Sequence, residues 1–171
     1  MKTINKFLQE TRQPYLIYVD MDGVLTDWDS AVEKLGHGSS DEIKKRGGDS
    51  LLWAIIGKVG TSFWSQMNWT KDGQKLWKNI KSYHPTILSA PTKNPTSITG
   101  KNQWIDKNLG KYIKRILVPS KEKKQYAKEN SILIDDRIDN VKDWKLSGGI
   151  GILHKNTNDT ISKLKGIINE F

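Results

Sequence analysis

The sequence predicts an α/β protein: a parallel β-sheet covered by helices on both faces, with a block of helices inserted after the first strand. Three observations lead there. Short, continuous runs of Ile, Leu, Val and Tyr recur along the chain, as in strands buried on both faces. Helical patterns separate most of these runs. Two of the runs lead straight into Asp, so carboxylates fall at the carboxyl ends of strands, where open α/β sheets bind ligands.

A first helix is expected from about Thr3 to Thr11, with Ile4, Phe7 and Leu8 on one face, before Pro14 ends it. Tyr15–Val19 (YLIYV) reads as the first strand and stops at Asp20. From Asp29 to His84 no strand pattern occurs. There, Ser50–Val59 (SLLWAIIGKV) is strongly apolar, with Leu51, Leu52, Ile55 and Ile56 as core, and Asp72–Tyr83 is amphipathic through Leu76, Trp77 and Ile80. With Trp28 at its threshold, this block holds five of the seven Trp: Trp28, Trp53, Trp64, Trp69 and Trp77. An insertion at this place lies over the carboxyl ends of the strands, as a lid would. Thr86–Leu88 is the second strand. Ser97–Leu109 follows as a helix with Ile98, Trp104, Ile105 and Leu109 in step, and Gly110 stops it. Ile113–Val118 (strand), Lys121–Lys128 (helix), Ile132–Ile134 (strand), Asn140–Leu146 (helix), Gly149–Leu153 (a weaker strand) and Asp159–Ile168 (helix) complete the chain. Residues 1–28 and 85–171 thus make the core, and 29–84 a helical cap.

Composition narrows the function. The 171 residues are 36% apolar, enough for one core. With 28 Lys and Arg against 19 Asp and Glu, the formal charge is +9, which suits a nucleic acid, a nucleotide or an acidic membrane surface. There is no Cys, which excludes disulfides, thiolate catalysis and Cys-based zinc sites. No apolar run approaches the ~20 residues of a membrane span, and the polar segment MKTINKFLQETRQP does not read as a secretory signal. A cytoplasmic protein is expected.

Four features carry chemistry. Asp20-Met-Asp22-Gly-Val-Leu-Thr-Asp27 follows the first strand. Two carboxylates one residue apart can serve one reacting centre, one attacking and the other moving protons, and Gly23 permits the tight turn. Asp135-Asp136 follows the apolar run Ser131-Ile-Leu-Ile134. Adjacent acids there suit a cation, Mg²⁺ rather than zinc, and equally suit a helix N-cap with a first-turn acid. Ser89 ends the second strand before Ala90-Pro91, where its hydroxyl can hold a phosphoryl oxygen or simply make a turn. Lys101, Lys121, Lys123 and Lys124 are candidates to balance the negative charge.

In this order the four features resemble the motifs of the haloacid dehalogenase superfamily of phosphohydrolases, from Tyr15 to about Leu153. The segment Lys101-Asn-Gln-Trp-Ile-Asp-Lys-Asn-Leu-Gly110, with DMDGVLTD and ILIDDR around it, is similar to the 5'(3')-deoxyribonucleotidase family in particular. The resemblance implies a Rossmann-like core and a small helical cap. It implies Asp20 as nucleophile and Asp22 as acid and base. Mg²⁺ would be held by Asp20, the Asp22 carbonyl and Asp136, with Asp135 in support. Ser89, Lys101 and Lys123 would contact the phosphate, Lys123 being preferred over Lys124 for its spacing from Tyr126. It implies cap aromatics around the base, for which Phe63, Trp64 and Trp69 are the candidates. Ser89-Ala-Pro91 departs from the family's Thr-Ser-Pro and lacks its second hydroxyl.

The expected activity is therefore hydrolysis of (deoxy)ribonucleoside monophosphates. A polynucleotide 3'-phosphatase, another small-metabolite phosphatase and a catalytically dead nucleic-acid-binding module are the rivals. With the acids gathered at the centre, the surplus lysines are expected around it as a basic rim.

Overall fold

The computed structural model describes residues 15–169, so the helix expected at Thr3–Thr11 lies outside it. β1 (Leu16–Val19) is central to a five-stranded sheet, flanked by β2 (Thr86–Ser89) and β3 (Arg115–Leu117) on one side and by β4 (Ser131–Asp135) and β5 (Ile150–Leu153) on the other. All four pairings are parallel. Val19 is level with Ile87 and with Ile134, so Asp20 leaves the sheet beside Asp135.

Alternation along the strands divides the apolar residues between two layers. Ile17, Val19, Ile87, Ile132, Ile134 and Ile152 face a core completed by Trp104, Ile105 and Leu164. Leu88 and Leu133 face Trp144, with Tyr18, Ile116 and Tyr126 around them. β1, β2 and β4 carry apolar residues on both faces, which accounts for their unbroken runs in the sequence.

Between β1 and β2 the chain forms α1 (Trp28–Glu33), α2 (Ser40–Val59), α3 (Thr61–Ser65) and α4 (Gly73–Ile80). A capping box of Ser39 and Glu42 starts α2, and the helix breaks where Gly47 and Gly48 leave helical geometry. The last of these helices leans on the core: Lys75 donates to Asn158 at 2.7 Å and the Thr157 hydroxyl to the Asp72 carbonyl at 3.1 Å. After β2 come α5 (Thr96–Asn108), α6 (Ile138–Leu146) and α7 (Thr157–Asn169), interleaved with the remaining strands. Gly100 lets α5 approach α3 closely, since a Cβ there would lie 2.4 Å from the Trp64 Cβ. Among the described residues no helix is long and apolar enough to cross a membrane.

One element differs from expectation. The helix expected over Lys121–Lys128 is a 3-10 run, Ser120–Tyr126. Three residues per turn stack Ser120, Lys123 and Tyr126 on one side. There Ser120 meets Asn140, Lys123 meets the acids and Tyr126 packs beside Tyr18. A 3.6-residue turn would swing these side chains progressively out of line.

Candidate active site

Chain reversal after β1 builds the first half of the site. The N–H groups of Val24, Leu25 and Thr26 all point at the Met21 carbonyl, at 2.7–3.1 Å. Gly23 sits at φ +78°, and a Cβ on it would fall 2.2 Å from an Asp136 oxygen. Glycine is required twice over here, for the turn and for the approach of the Asp136 carboxylate.

The two carboxylates of this turn have different partners. Asp20, 5% exposed, accepts the Met21 N–H at 2.8 Å and lies 3.0 Å from Lys123 Nζ. Asp22 is half-buried; it accepts the Thr26 hydroxyl at 3.0 Å and the Lys101 ammonium at 2.5 Å. Lys101 also donates to the Ser89 hydroxyl at 3.0 Å, and its Nζ stands 5.3 Å from the centre of the Trp64 ring. Both lysines are almost fully buried, at 1% and 2% exposure. A buried ammonium persists only with such partners.

The second half comes from β4 and the start of α6. Asp135 is fully buried. It accepts Lys123 Nζ at 2.8 Å, the Arg137 N–H at 2.9 Å and both contacts of the Asn140 amide at 2.9 and 3.0 Å. The Ser120 hydroxyl, donating at 2.7 Å, fixes that amide's orientation. Burial, and then the Asp20 charge, push the Asp135 carboxyl up, against the pull of Lys123. Burial alone would lower Lys123, but Asp20 and Asp135 outweigh it and raise the ammonium. Asp136 is pushed up to about 7 by burial and by the charges of Asp20 and Asp135.

These carboxylates fit a divalent cation. One oxygen each from Asp20, Asp135 and Asp136 lie within 4.8 Å of one another. Like charges held this close, with Asp136 protonating near neutrality for want of compensation, suit a cation, and an all-oxygen donor set suits Mg²⁺.

Above the acids opens a cavity of about 970 Å³. Part of its wall is aromatic and comes from the helices between β1 and β2: Trp28, Trp53 and Trp64, with ring centroids 5.8 Å apart for Trp28 and Trp53 and 5.6 Å for Trp28 and Trp64. Ala90–Asn94 and Arg137 close its sides.

No family model matches this sequence, and no curated protein does. Solved structures match it over most of its length at low identity. The magnesium-bound structure of YfnB from Bacillus subtilis is 12% identical, covers 92% of this chain and 100% of its own, and gives a TM-score of 0.59. A HAD-superfamily hydrolase from Ehrlichia chaffeensis is 14% identical, with coverages of 93% and 100% and a TM-score of 0.51. The L-2-haloacid dehalogenase of Xanthobacter autotrophicus, with chloropropionic acid covalently bound, is 11% identical, with coverages of 81% and 76% and a TM-score of 0.53. The fold is that of the haloacid dehalogenase-like hydrolases. At these identities the likeness is one of architecture.

Within this haloacid dehalogenase-like fold, Asp20, Asp22, Ser89, Lys101, Lys123, Asp135 and Asp136 meet at the carboxyl ends of β1, β2 and β4. Lys124 does not join them; it lies 3.5 Å from Asp143 at the surface. Of the three aromatics singled out from the sequence, Trp64 lines the cavity. Phe63 instead packs edge-on against Trp28 and Trp64, and Trp69 packs on Trp104 at 4.8 Å. Trp28 and Trp53 line the cavity in their place. Asn140 and Ser120 are further additions; the spacing of Asn140 in the first turn after Asp135-Asp136 was the available signal. Around the central acids, the cavity is bordered by Lys44, Lys93 and Arg137 together with Asp27 and Asp29, so its rim carries both signs of charge.

Proposed function

We propose that the protein is a Mg²⁺-dependent phosphatase that hydrolyses (deoxy)ribonucleoside monophosphates through an aspartyl-phosphate on Asp20. The observation that carries the reaction is the pair of carboxylates one residue apart, each on its own buried lysine: Asp20 on Lys123 and Asp22 on Lys101. The observation that carries the substrate is the aromatic lining of Trp28, Trp53 and Trp64 in the cavity that the acids share.

In the first step an Asp20 oxygen attacks phosphorus, and the bond from phosphorus to the nucleoside oxygen breaks. Asp22 gives its proton to that departing oxygen. In the second step Asp22 takes a proton from water, whose oxygen attacks phosphorus and releases the Asp20 carboxylate with inorganic phosphate. Lys101 and Ser89, 3.0 Å apart beside Asp22, are placed to bind phosphoryl oxygens. An incoming phosphate competes with Asp22 for the Lys101 ammonium and so loosens its hold on that carboxylate. Lys123 keeps Asp20 and Asp135 together without neutralising either completely. Asp20, Asp136, the Asp22 carbonyl and, in support, Asp135 would hold Mg²⁺, which supplies charge neutralisation for the phosphoryl group when bound. The Trp wall excludes water from the phosphorylated Asp20 and orients the ester by stacking on the base.

Steady-state turnover of dNMPs, NMPs, small sugar phosphates and 3'-phosphorylated oligonucleotides tests this. Nucleoside monophosphates should give the highest kcat/KM. Turnover confined to oligonucleotides would replace the nucleotidase reading with a 3'-phosphatase, and turnover confined to sugar phosphates would remove the role of the Trp wall.

A further inference from the structure

The basic surplus is concentrated in one stretch of the chain. Ten of the 28 Lys and Arg, but only one of the 19 Asp and Glu, fall between residues 73 and 121. That stretch alone accounts for the formal +9, and the rest of the chain balances at 18 against 18. Of the ten, Lys101 is buried in the site and Lys93 lines the cavity. Lys78, Lys81, Lys107, Lys111 and Lys114 are placed differently. They are all exposed, at the ends of α4 and α5 and in the connections that enter β2 and β3.

Because β2 and β3 are parallel neighbours, these two connections lie side by side at the amino ends of the strands. That is the end opposite Asp20 and Ser89. Strands of 3 to 5 residues separate the two ends, roughly 10–17 Å of sheet. The single acid of the stretch, Asp106, is bound to Arg115 at 2.7 Å. The five lysines make no ion pair among the described residues. Two tyrosines stand among them: Tyr112 is 99% exposed and Tyr83 is 40% exposed. Lysines at a helix C-terminus complement the helix dipole, which accounts for Lys78, Lys107 and Lys81, the C-cap of α4. It does not account for Lys111 and Lys114 in the connection to β3, nor for an aromatic ring held almost entirely in water.

We propose that this face, built around Lys81, Lys111, Tyr112 and Lys114, binds single-stranded nucleic acid, the lysines following the phosphates and Tyr112 stacking on a base. Charge selects a polyanion. The ring selects one with bases: the aromatics here are both tyrosines, and Leu109 and Ile113 beside them pack against the core rather than standing free to insert into a lipid surface. The inference is independent of the proposed catalytic activity, since the site lies at the other end of the sheet.

The test is fluorescence anisotropy of a labelled oligo(dT) titrated with the full chain. Three variants are compared: Lys111→Glu/Lys114→Glu, its milder form Lys111→Gln/Lys114→Gln, and Tyr112→Ala. Lys34→Glu/Lys45→Glu, in the cap, is the control of equal charge. Thermal melting confirms that each is folded, so the readout does not depend on catalysis. Both connection pairs should weaken binding tenfold or more and flatten the salt dependence by about 0.7 in slope per phosphate contact removed. Tyr112→Ala should weaken it about fivefold or more with the salt slope unchanged. Asp20→Asn should bind like the wild type. An equal loss in the control pair, or a loss in Asp20→Asn, overturns the proposal. So does binding to phosphatidylserine vesicles that needs Lys111 and Lys114 when oligo(dT) does not bind.

Discussion

At the carboxyl ends of β1 and β4, four carboxylates crowd around buried lysines. At the amino ends of β2 and β3, lysines stand in water with one acid among them. The two regions share one sheet and differ in what their charges can do. Buried charges survive only with partners in fixed geometry, so each substitution there is felt strongly and locally. Exposed charges act through a shared field that salt screens, so each counts for little alone. The acidic end is therefore expected to break abruptly under single substitutions, and the basic end by degrees.

The largest effect is expected for Asp20→Asn. Turnover of dNMPs should fall at least about a thousandfold, while the melting temperature holds or rises because one of the crowded like charges is gone. Kinetics and thermal melting on one preparation give both numbers. Activity within tenfold of the wild type would show that another group attacks. Next is Lys123→Met, which strands Asp20 and Asp135 without their shared cation. It should cost about 3 kcal/mol of stability in the metal-free protein, read from urea unfolding. The same substitution at Lys111 should leave the unfolding midpoint unchanged, and equal losses would erase the distinction between the two ends.

Trp53→Ala should raise KM for nucleoside monophosphates about tenfold and leave KM for a small sugar phosphate unchanged, since it removes only a stacking surface. A matching rise for both substrates would assign Trp53 to packing of the cap. A separate effect, read through pH, concerns Asp136. Its folded pKa, about 7, lies above the ~3.9 of an unfolded Asp. The folded state therefore binds this proton more tightly, and its contribution to stability is lost as pH rises from about 4 through 7. His154, which burial lowers, acts in the opposite sense. The contrast with Asp136→Asn isolates the acid: in EDTA the wild type should lose stability relative to the variant across that window. Mg²⁺ should restore more at the alkaline end, because it binds the carboxylate. A difference that does not change with pH contradicts the assignment.

Much of the acidic end was legible in the sequence because its strands are short apolar runs and its chemistry sits at their ends. Val19 to Asp20 and Ile134 to Asp135 each mark a strand leaving the sheet. Lys123 was preferred over Lys124 through the spacing from Tyr126 that the family resemblance suggests; the 3-10 geometry that aligns Lys123 with Ser120 and Tyr126 is not encoded in a helical pattern. The aromatics show the same limit. Trp53, Phe63, Trp64 and Trp69 are alike as apolar residues, yet Trp53 is 42% exposed against the cavity while Phe63 is buried behind it. Their placement depends on tertiary packing, such as the helix break at Gly47-Gly48 and the close approach of Gly100 to Trp64, that residue type does not reveal. The basic end was visible as a net charge, but its position depended on the strand order. Lys81 and Lys111 are 30 residues apart in the chain and come to one end of the sheet only because β2 and β3 pair.

If Asp20 is the nucleophile, it carries the phosphoryl group during turnover. Acid quenching during turnover of a dNMP with Mg²⁺, followed by peptide mass spectrometry, reads this out. One phosphoryl group should be found on the carboxylate of Asp20, and none in Asp20→Asn. Steady turnover with that peptide unmodified, or a phosphoryl group on any other residue, would contradict it.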